Sequence, residues 1–290
     1  MLNSILIATD ASEDSDHVVE CIKDLHRVGS HQAVLVHVRN VRDASGVYDT
    51  RKRLALPRLE QQKQWLEAAG FKVKVEIPLG LPASEINRVA GEHHCSLVVA
   101  GSHGESLLAE AMSGSAVYAI LQNVKLPTLL IRLKITEEGG GRPCRVACED
   151  LFAHIVHPTD FSDAAERAFR YLEHVVRRTK GFVTLLHVQD QTRNRPDLPH
   201  KVAEFNRNDR ERLERRRDAL LKHGAAEVNI EVPYGSPTGL ILERARKGDA
   251  SLILMGTRGR GFLKELFLGS VAHNVTRQAP LPVLLVPAVR

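Results

Sequence analysis

Residues 251–270 read SLILMGTRGRGFLKELFLGS, and the same pattern stands at residues 96–115 as SLVVAGSHGESLLAEAMSGS. Each copy opens with an apolar run suited to a buried strand. Each then sets out Gly-x-x-Gly, nine residues and Gly-Ser: Gly256, Gly259, Gly269 and Ser270 in one, Gly101, Gly104, Gly114 and Ser115 in the other. A helix-like segment follows each serine. Glycine lets backbone come close to a ligand, and a helix start offers unpaired N–H groups and a positive dipole end to an anion. The pattern predicts a phosphate cradle at a strand–loop–helix junction. Its recurrence predicts a duplicated domain.

The repeat extends well beyond the glycines. Thr9-Asp10 ends one apolar run and Thr159-Asp160 another; AVLVHV ends at Val38 and VTLLHV at Val188, and both pairs are 150 residues apart. From Val75–Gly80 and Ile230–Gly235 onward, through the glycines to Pro127 and Pro282, the offset is 155. Helical patterns separate the apolar runs. Ser12 and Ser162 are candidate N-caps, Pro82 and Pro237 open further helices, and 51–69 and 201–223 form long polar ones. Each half thus reads βαβαβαβαβ, the pattern of an α/β fold with a parallel sheet covered by helices on both faces. The glycine run in 136–143 (TEEGGGRP) marks a junction. The expected domains are residues 1–135 and 151–290, with 136–150 as linker.

Composition bounds the rest. The chain has 290 residues, enough for about two domains, with 43% hydrophobic and 26% charged residues. No apolar run has the length of a membrane helix, and MLNSILIATD reaches an acid too early for a signal peptide, so a cytoplasmic protein is expected, with neither a membrane nor nucleic acid as partner. The net charge of +5 divides into −2 for residues 1–150 and +7 for 151–290. Much of that excess lies in Arg207–Arg217, where interleaved acids suggest a solvated helix face. Four cysteines, Cys21, Cys95, Cys144 and Cys148, are too few for a disulfide scaffold, and free thiols are expected. Neither the Cys144/Cys148 spacing nor His93-His94-Cys95 makes a metal-ligand set, and no metal held by protein side chains is expected.

In an open sheet of order 3-2-1-4-5, ligands bind beyond the C-terminal strand ends, between strands 1 and 4. Asp10 and Asp160 end strand 1, and the glycines begin where strand 4 ends, so acid and cradle face one another. A carboxylate there suits a ribose hydroxyl or a base amino group; it also suits a helix N-terminus as a purely structural acid. Ser270 could cap its helix, hold phosphate, or do both. His37 and His187 are expected as satisfied core histidines. No Gly-Lys-[Ser/Thr], Gly-x-Gly-x-x-Gly after strand 1, Gly-x-Ser-x-Gly or His-Glu-x-x-His is present, so no catalytic residues are assigned.

The residues HPTDFS (157–162), LLHV (185–188) and GTRGRGFLKELFLGSVAHNVTRQAPLPVLLVP (256–287) resemble the universal stress protein family in its tandem two-domain form. That resemblance implies two open five-stranded sheets related by a pseudo-twofold axis, and adenine nucleotide as ligand: ATP, or AMP or ADP, with Mg²⁺ a companion of ATP. It implies a second-half site of Thr159, Asp160, Val188, Gly256, Arg258, Gly259, Gly269, Ser270 and Val271. Asp160 would face the adenosine part, the Val188 backbone the adenine, and Gly269, Ser270 and Val271 N–H the phosphates. The first-half equivalents are Thr9, Asp10, Val38, Gly101, Gly104, Gly114 and Ser115. It also implies pairing of the last strands, 129–132 and 283–286, with those of a neighbouring domain, and a homodimer.

The halves differ in their loops. Arg258, Arg260 and Lys264 of the second are matched by Glu105 and Glu110 in the first, which would repel phosphate, so tighter binding is expected in the second half. Three functions fit the sequence. The first is a stress or signalling module whose nucleotide occupancy changes assembly or partner choice. The others are a slow ATPase or adenylating enzyme, and an interaction protein with vestigial loops. The first is preferred.

Overall fold

The computed structural model describes residues 1–40, 48–103, 120–121, 125–135, 144–146, 150–190, 199–259 and 268–288. Gly104, Gly114 and Ser115, with Glu105, Glu110, Arg260 and Lys264, lie outside these residues. The chain divides into two units, Met1–Asp150 and Leu151–Arg290.

In the first unit the strands are β1 (Ser4–Ala8), β2 (Gln32–Val36), β3 (Arg39–Asn40), β4 (Lys72–Glu76), β5 (Leu79–Gly80), β6 (Leu97–His103), β7 (Thr128–Ile135) and β8 (Cys144–Val146). The helices include α1 (Glu13–Cys21), continued by a 3-10 helix over Ile22–Val28, α2 (Tyr48–Ala68) and α3 (Pro82–Glu92). Parallel pairing gives the order β4-β2-β1-β6-β7, which is 3-2-1-4-5 for the five long strands. Leu6, Val34, Val36 and Val98 pack with Ile86, Val89 and Ala90 of α3. Gly101, of opposite parity to Val98 on β6, lies against Val18 of α1. A strand alternates its faces residue by residue, so α3 and α1 cover opposite sides of the sheet. Each such buried Leu, Val or Ile side chain contributes roughly 1.5–3 kcal/mol.

The second unit repeats this plan with β9 (His154–Pro158), β10 (Phe182–Leu186), β11 (Gln189–Asp190), β12 (Glu227–Glu231), β13 (Tyr234–Gly235), β14 (Leu252–Gly256) and β15 (Val283–Val286). Its helices are α4 (Asp163–Thr179), α5 (Pro199–Lys222), α6 (Pro237–Arg246) and α7 (Ser270–Gln278). The order is β12-β10-β9-β14-β15, again 3-2-1-4-5, and all four pairings are parallel. Helix α4 shows how sequence sets an element's limits. Ser162 caps its start by accepting from Ala165 N, acids Asp163 and Glu166 sit in the first turn, and Arg177 and Arg178 in the last. It stops at Lys180, which takes the left-handed conformation at φ 56°.

Two features go beyond five parallel strands. Strand β8 runs antiparallel to β7, pairing Lys134 with Arg145, so part of the stretch expected as linker joins the first sheet. Past the sheet ends, two-residue parallel ribbons form between β3 and β5 and between β11 and β13.

Candidate functional site

The C-terminal end of β9 builds the second-unit site. The β9–β14 ladder ends at Val156 with Ile253, and Pro158 has no N–H to extend it. The fully buried His157 ring instead donates Nδ1–H to the Leu254 carbonyl at 2.8 Å. Its Nε2 is buried with no hydrogen-bond partner among the described residues. Burial, reinforced by the charge of Arg216, lowers the His157 pKa to about 4.

Beyond Pro158 the chain makes a tight turn. Thr159 N donates to Leu186 O, and Thr159 Oγ1 accepts from Phe161 N at 3.1 Å. Phe161 sits at φ 59°, a conformation that costs a bulky residue energy and must be held by its surroundings. Asp160 Oδ1 accepts from Ser162 N at 3.1 Å and lies 2.6 Å from Ser162 Oγ, which is also 3.2 Å from Arg258 O. The other carboxylate oxygen, Oδ2, stands 2.6 Å from where a Cβ on Gly259 would be. The half-buried acid of strand 1 and the glycine loop of strand 4 therefore meet directly.

The three described glycines of this loop have different roles. A Cβ on Gly256 would come within 2.7 Å of the Ala164 backbone, so this glycine lets α4 pack against the end of β14. Gly259 makes room for Asp160. Gly269 is the N-cap of α7, with φ −71° and ψ 157°, and no side chain caps the helix. Gly269 N donates to Thr257 O at 2.7 Å, fastening the helix start to the loop. Ser270 is thus the first residue of the helix and is exposed, Val271 is half-buried, and the first-turn N–H groups have no side-chain acceptor of the usual kind. Thr257 Oγ1 is buried beside them without a partner among the described residues. An anion's oxygens would satisfy such donors, so the chain's own groups fit a phosphate.

His187, next to Val188, is buried and satisfied, as expected. Its Nδ1 faces the Thr159 carbonyl at 2.8 Å and its Nε2 stands 3.2 Å from Asp209 Oδ2. A carbonyl only accepts, so Nδ1 carries a proton.

The sequence reading missed what lies beneath the turn. Arg216 of α5, buried, donates to Thr159 Oγ1 at 2.8 Å and pairs with Glu166. Its guanidinium carbon lies 4.7 Å from the centroid of the Phe161 ring and 5.0 Å from that of Phe169, while Arg212 sits 3.9 Å over Phe161. Burial lowers the Arg216 pKa, and Glu166 opposes that effect.

The first unit shares the turn but not these side chains. Ser12 N donates to Asp10 Oδ1 at 2.9 Å, Ala11 sits at φ 60°, and His37 Nδ1 faces the Thr9 carbonyl at 3.1 Å. Where Arg216 stands in the second unit, the first has buried Gln62, whose Oε1 is 3.0 Å from Thr9 Oγ1. Gln62 also donates to Ser15 and Asp16. Asp10 is exposed and Val38 half-buried, and Gly101 faces a methyl of Val18 at 2.6 Å from a built Cβ. Among the described residues no cluster of three His, Cys, Asp or Glu could hold a metal, and no helix is long and apolar enough to cross a membrane.

Comparison with known proteins agrees with this architecture. The family model described as the universal stress protein family matches residues 1–132 and again 152–287. Universal stress protein MJ0577 of Methanocaldococcus jannaschii is 27% identical over 157 residues, covering 46% of this chain and 97% of its own length. A universal stress protein of Thermus aquaticus is 32% identical over 142 residues, covering 47% and 99%. The crystal structure of a universal stress protein from Archaeoglobus fulgidus aligns with 99% of this chain and 96% of its own, at 27% identity and a TM-score of 0.72. The chain belongs to the universal stress protein family and carries its domain twice.

Proposed function

We propose that the second unit binds an adenine nucleotide, ATP or its AMP and ADP relatives, and that occupancy changes which assembly or partner the protein adopts. One observation carries the proposal: Asp160 Oδ2 fills the space left by the missing side chain of Gly259, beside a helix whose start has no side-chain cap. A hydroxyl-accepting carboxylate and a phosphate-accepting helix start thus border one cleft at the strand ends. In this reading Thr159 and Asp160 serve the adenosine part, and the backbone of Val188 the base. Gly256, Arg258 and Gly259 form the loop wall, and Gly269, Ser270 and Val271 take the phosphates. When bound, the nucleotide supplies negative charge at α7, and Mg²⁺ would accompany ATP. The first unit repeats the site around Thr9, Asp10 and Val38 with a weaker affinity. A cytoplasmic homodimer is the form in which we expect this module to work.

Mass spectrometry of the small molecules released from purified protein tests the proposal directly. Adenine nucleotide at stoichiometric or half-stoichiometric amounts is expected. Absence of both co-purified nucleotide and heat on calorimetric titration with ATP would overturn it, and sustained turnover of ATP would favour an enzyme instead.

A further inference from the structure

We propose that Arg216 is the positioning residue of the second site, holding the Asp160 carboxylate in its ligand-facing pose without touching ligand. The inference rests on the nucleotide-site reading and extends it to a residue one helix away.

The chain of contacts is continuous. Arg216 donates to Thr159 Oγ1 at 2.8 Å, the same oxygen accepts from Phe161 N at 3.1 Å, and the Phe161 ring lies 4.7 Å from the guanidinium carbon. Those contacts converge on the one residue of the turn with positive φ, and that residue directly follows Asp160. A left-handed phenylalanine is unfavourable alone and persists only where neighbours enforce it. Arg216 is itself fixed, because Glu166 takes its other nitrogen and Phe169 lies 5.0 Å away on the α4 side. Relaxing Phe161 would rotate the Asp160–Ser162 peptide units and withdraw Oδ2 from Gly259.

The first unit supplies an independent comparison. Gln62 reaches the Thr9 hydroxyl at 3.0 Å, and Ala11 N donates to that hydroxyl at 3.0 Å. Two chemically different side chains thus hold the same turn through the same oxygen, one charged and one neutral. The direction differs, Arg216 donating to the Thr159 oxygen and the Thr9 hydroxyl donating to Gln62 Oε1; what they share is a hydrogen bond at the threonine hydroxyl.

The test is calorimetric titration of the full chain with ATP, comparing wild type, Arg216→Met and Arg216→Gln, with thermal unfolding of each. Both variants lose the ion pair with Glu166, so both should lose similar stability. Only glutamine can restore the contact to Thr159. Arg216→Met should weaken ATP binding at the second site by about tenfold or more, and Arg216→Gln should recover to within about threefold of wild type. Equal affinity for the two variants, at any level, would overturn the proposal, because charge or general stability would then explain Arg216. Failure of wild type itself to bind ATP would overturn the nucleotide reading first, and this inference with it.

Discussion

Asp160 Oδ2 lies 2.6 Å from the point where a β-carbon on Gly259 would stand. The acid that ends strand 1 and the glycine loop that follows strand 4 are therefore fitted to one another. Gly259→Ala would force the carboxylate to turn, and because its other oxygen is held by Ser162, the turn would distort the end of β9. Gly259 is half-buried and the contact is with a side-chain end, so the fold should survive with little change in melting temperature. ATP affinity at the second site should fall by about tenfold, equivalent to about 1.4 kcal/mol. Titration against wild type, with circular dichroism as the folding control, checks the split.

Gly256 and Gly259 repeat the spacing of Gly101 and Gly104, but Gly256 answers to packing. A methyl there would come within 2.7 Å of the Ala164 carbonyl carbon and 2.9 Å of its oxygen, both main-chain atoms at the start of α4. Backbone cannot rotate away, so Gly256→Ala should destabilise the second unit by about 1–3 kcal/mol. Gly101→Ala is the control: its methyl would meet Val18 Cγ2 at 2.6 Å, a side-chain methyl rather than main chain. Denaturant melts should show the larger loss for Gly256→Ala, and equal losses would contradict the packing account.

These two glycines show what a sequence can and cannot disclose. The paired offsets of 150 and 155 residues placed both strand-1 acids and both histidines at matching strand ends, because a duplicated fold repeats residue type and spacing together; of the first glycine loop only Gly101 lies among the described residues. They could not separate Gly256 from Gly259, since contact with helix backbone and clearance for the Asp160 carboxylate both demand the absence of a side chain. Ser270 is open in the sequence to capping, phosphate binding or both; the N-cap position falls on Gly269, which leaves Ser270 as the first helical residue. Gln62 and Arg216 were invisible for a different reason. They lie on long polar helices, differ chemically, and meet their threonines only through tertiary packing. Strand β8 was hidden in a glycine-rich junction whose composition suggested a linker, and its pairing depends on β7 rather than on local pattern.

His157 should make the second unit acid-sensitive. Its ring is fully buried and its pKa is lowered to about 4, mainly by burial, whereas the unfolded chain should titrate near 6.5. The native state thus keeps the ring neutral while the unfolded state takes up a proton as pH falls. The contribution is intact above pH 6.5 and is lost between 6.5 and about 4, amounting to roughly 3 kcal/mol over that window. The equivalent first-unit residue is the buried Ile7, 150 positions earlier, so His157→Ile supplies a native-like apolar substitute. Unfolding free energies from pH 7.5 to 4 should fall less steeply in that variant, and identical slopes would remove His157 as the cause.

The start of α7 offers the sharpest separation of ligand binding from stability. Gly269 already has the extended backbone of an N-cap, and no side chain occupies the cap. Gly269→Asp would supply one, satisfying an N–H of the first turn; exchanging glycine for a better cap is worth only a few tenths of a kcal/mol. The new Cβ would stand 3.3 Å from Thr257 O, a tight contact that offsets part of that gain. Net stability should therefore stay within about 1 kcal/mol of wild type. Phosphate would meet both a competitor for the same N–H groups and a carboxylate repelling it. ATP affinity should fall by well over tenfold, and the loss should shrink as salt is raised from about 0.01 to 1 M, where the screening length contracts from about 30 to 3 Å. Titrations across that range read both effects. A variant that melts like wild type and still binds ATP equally well would exclude the α7 N-terminus as the phosphate site.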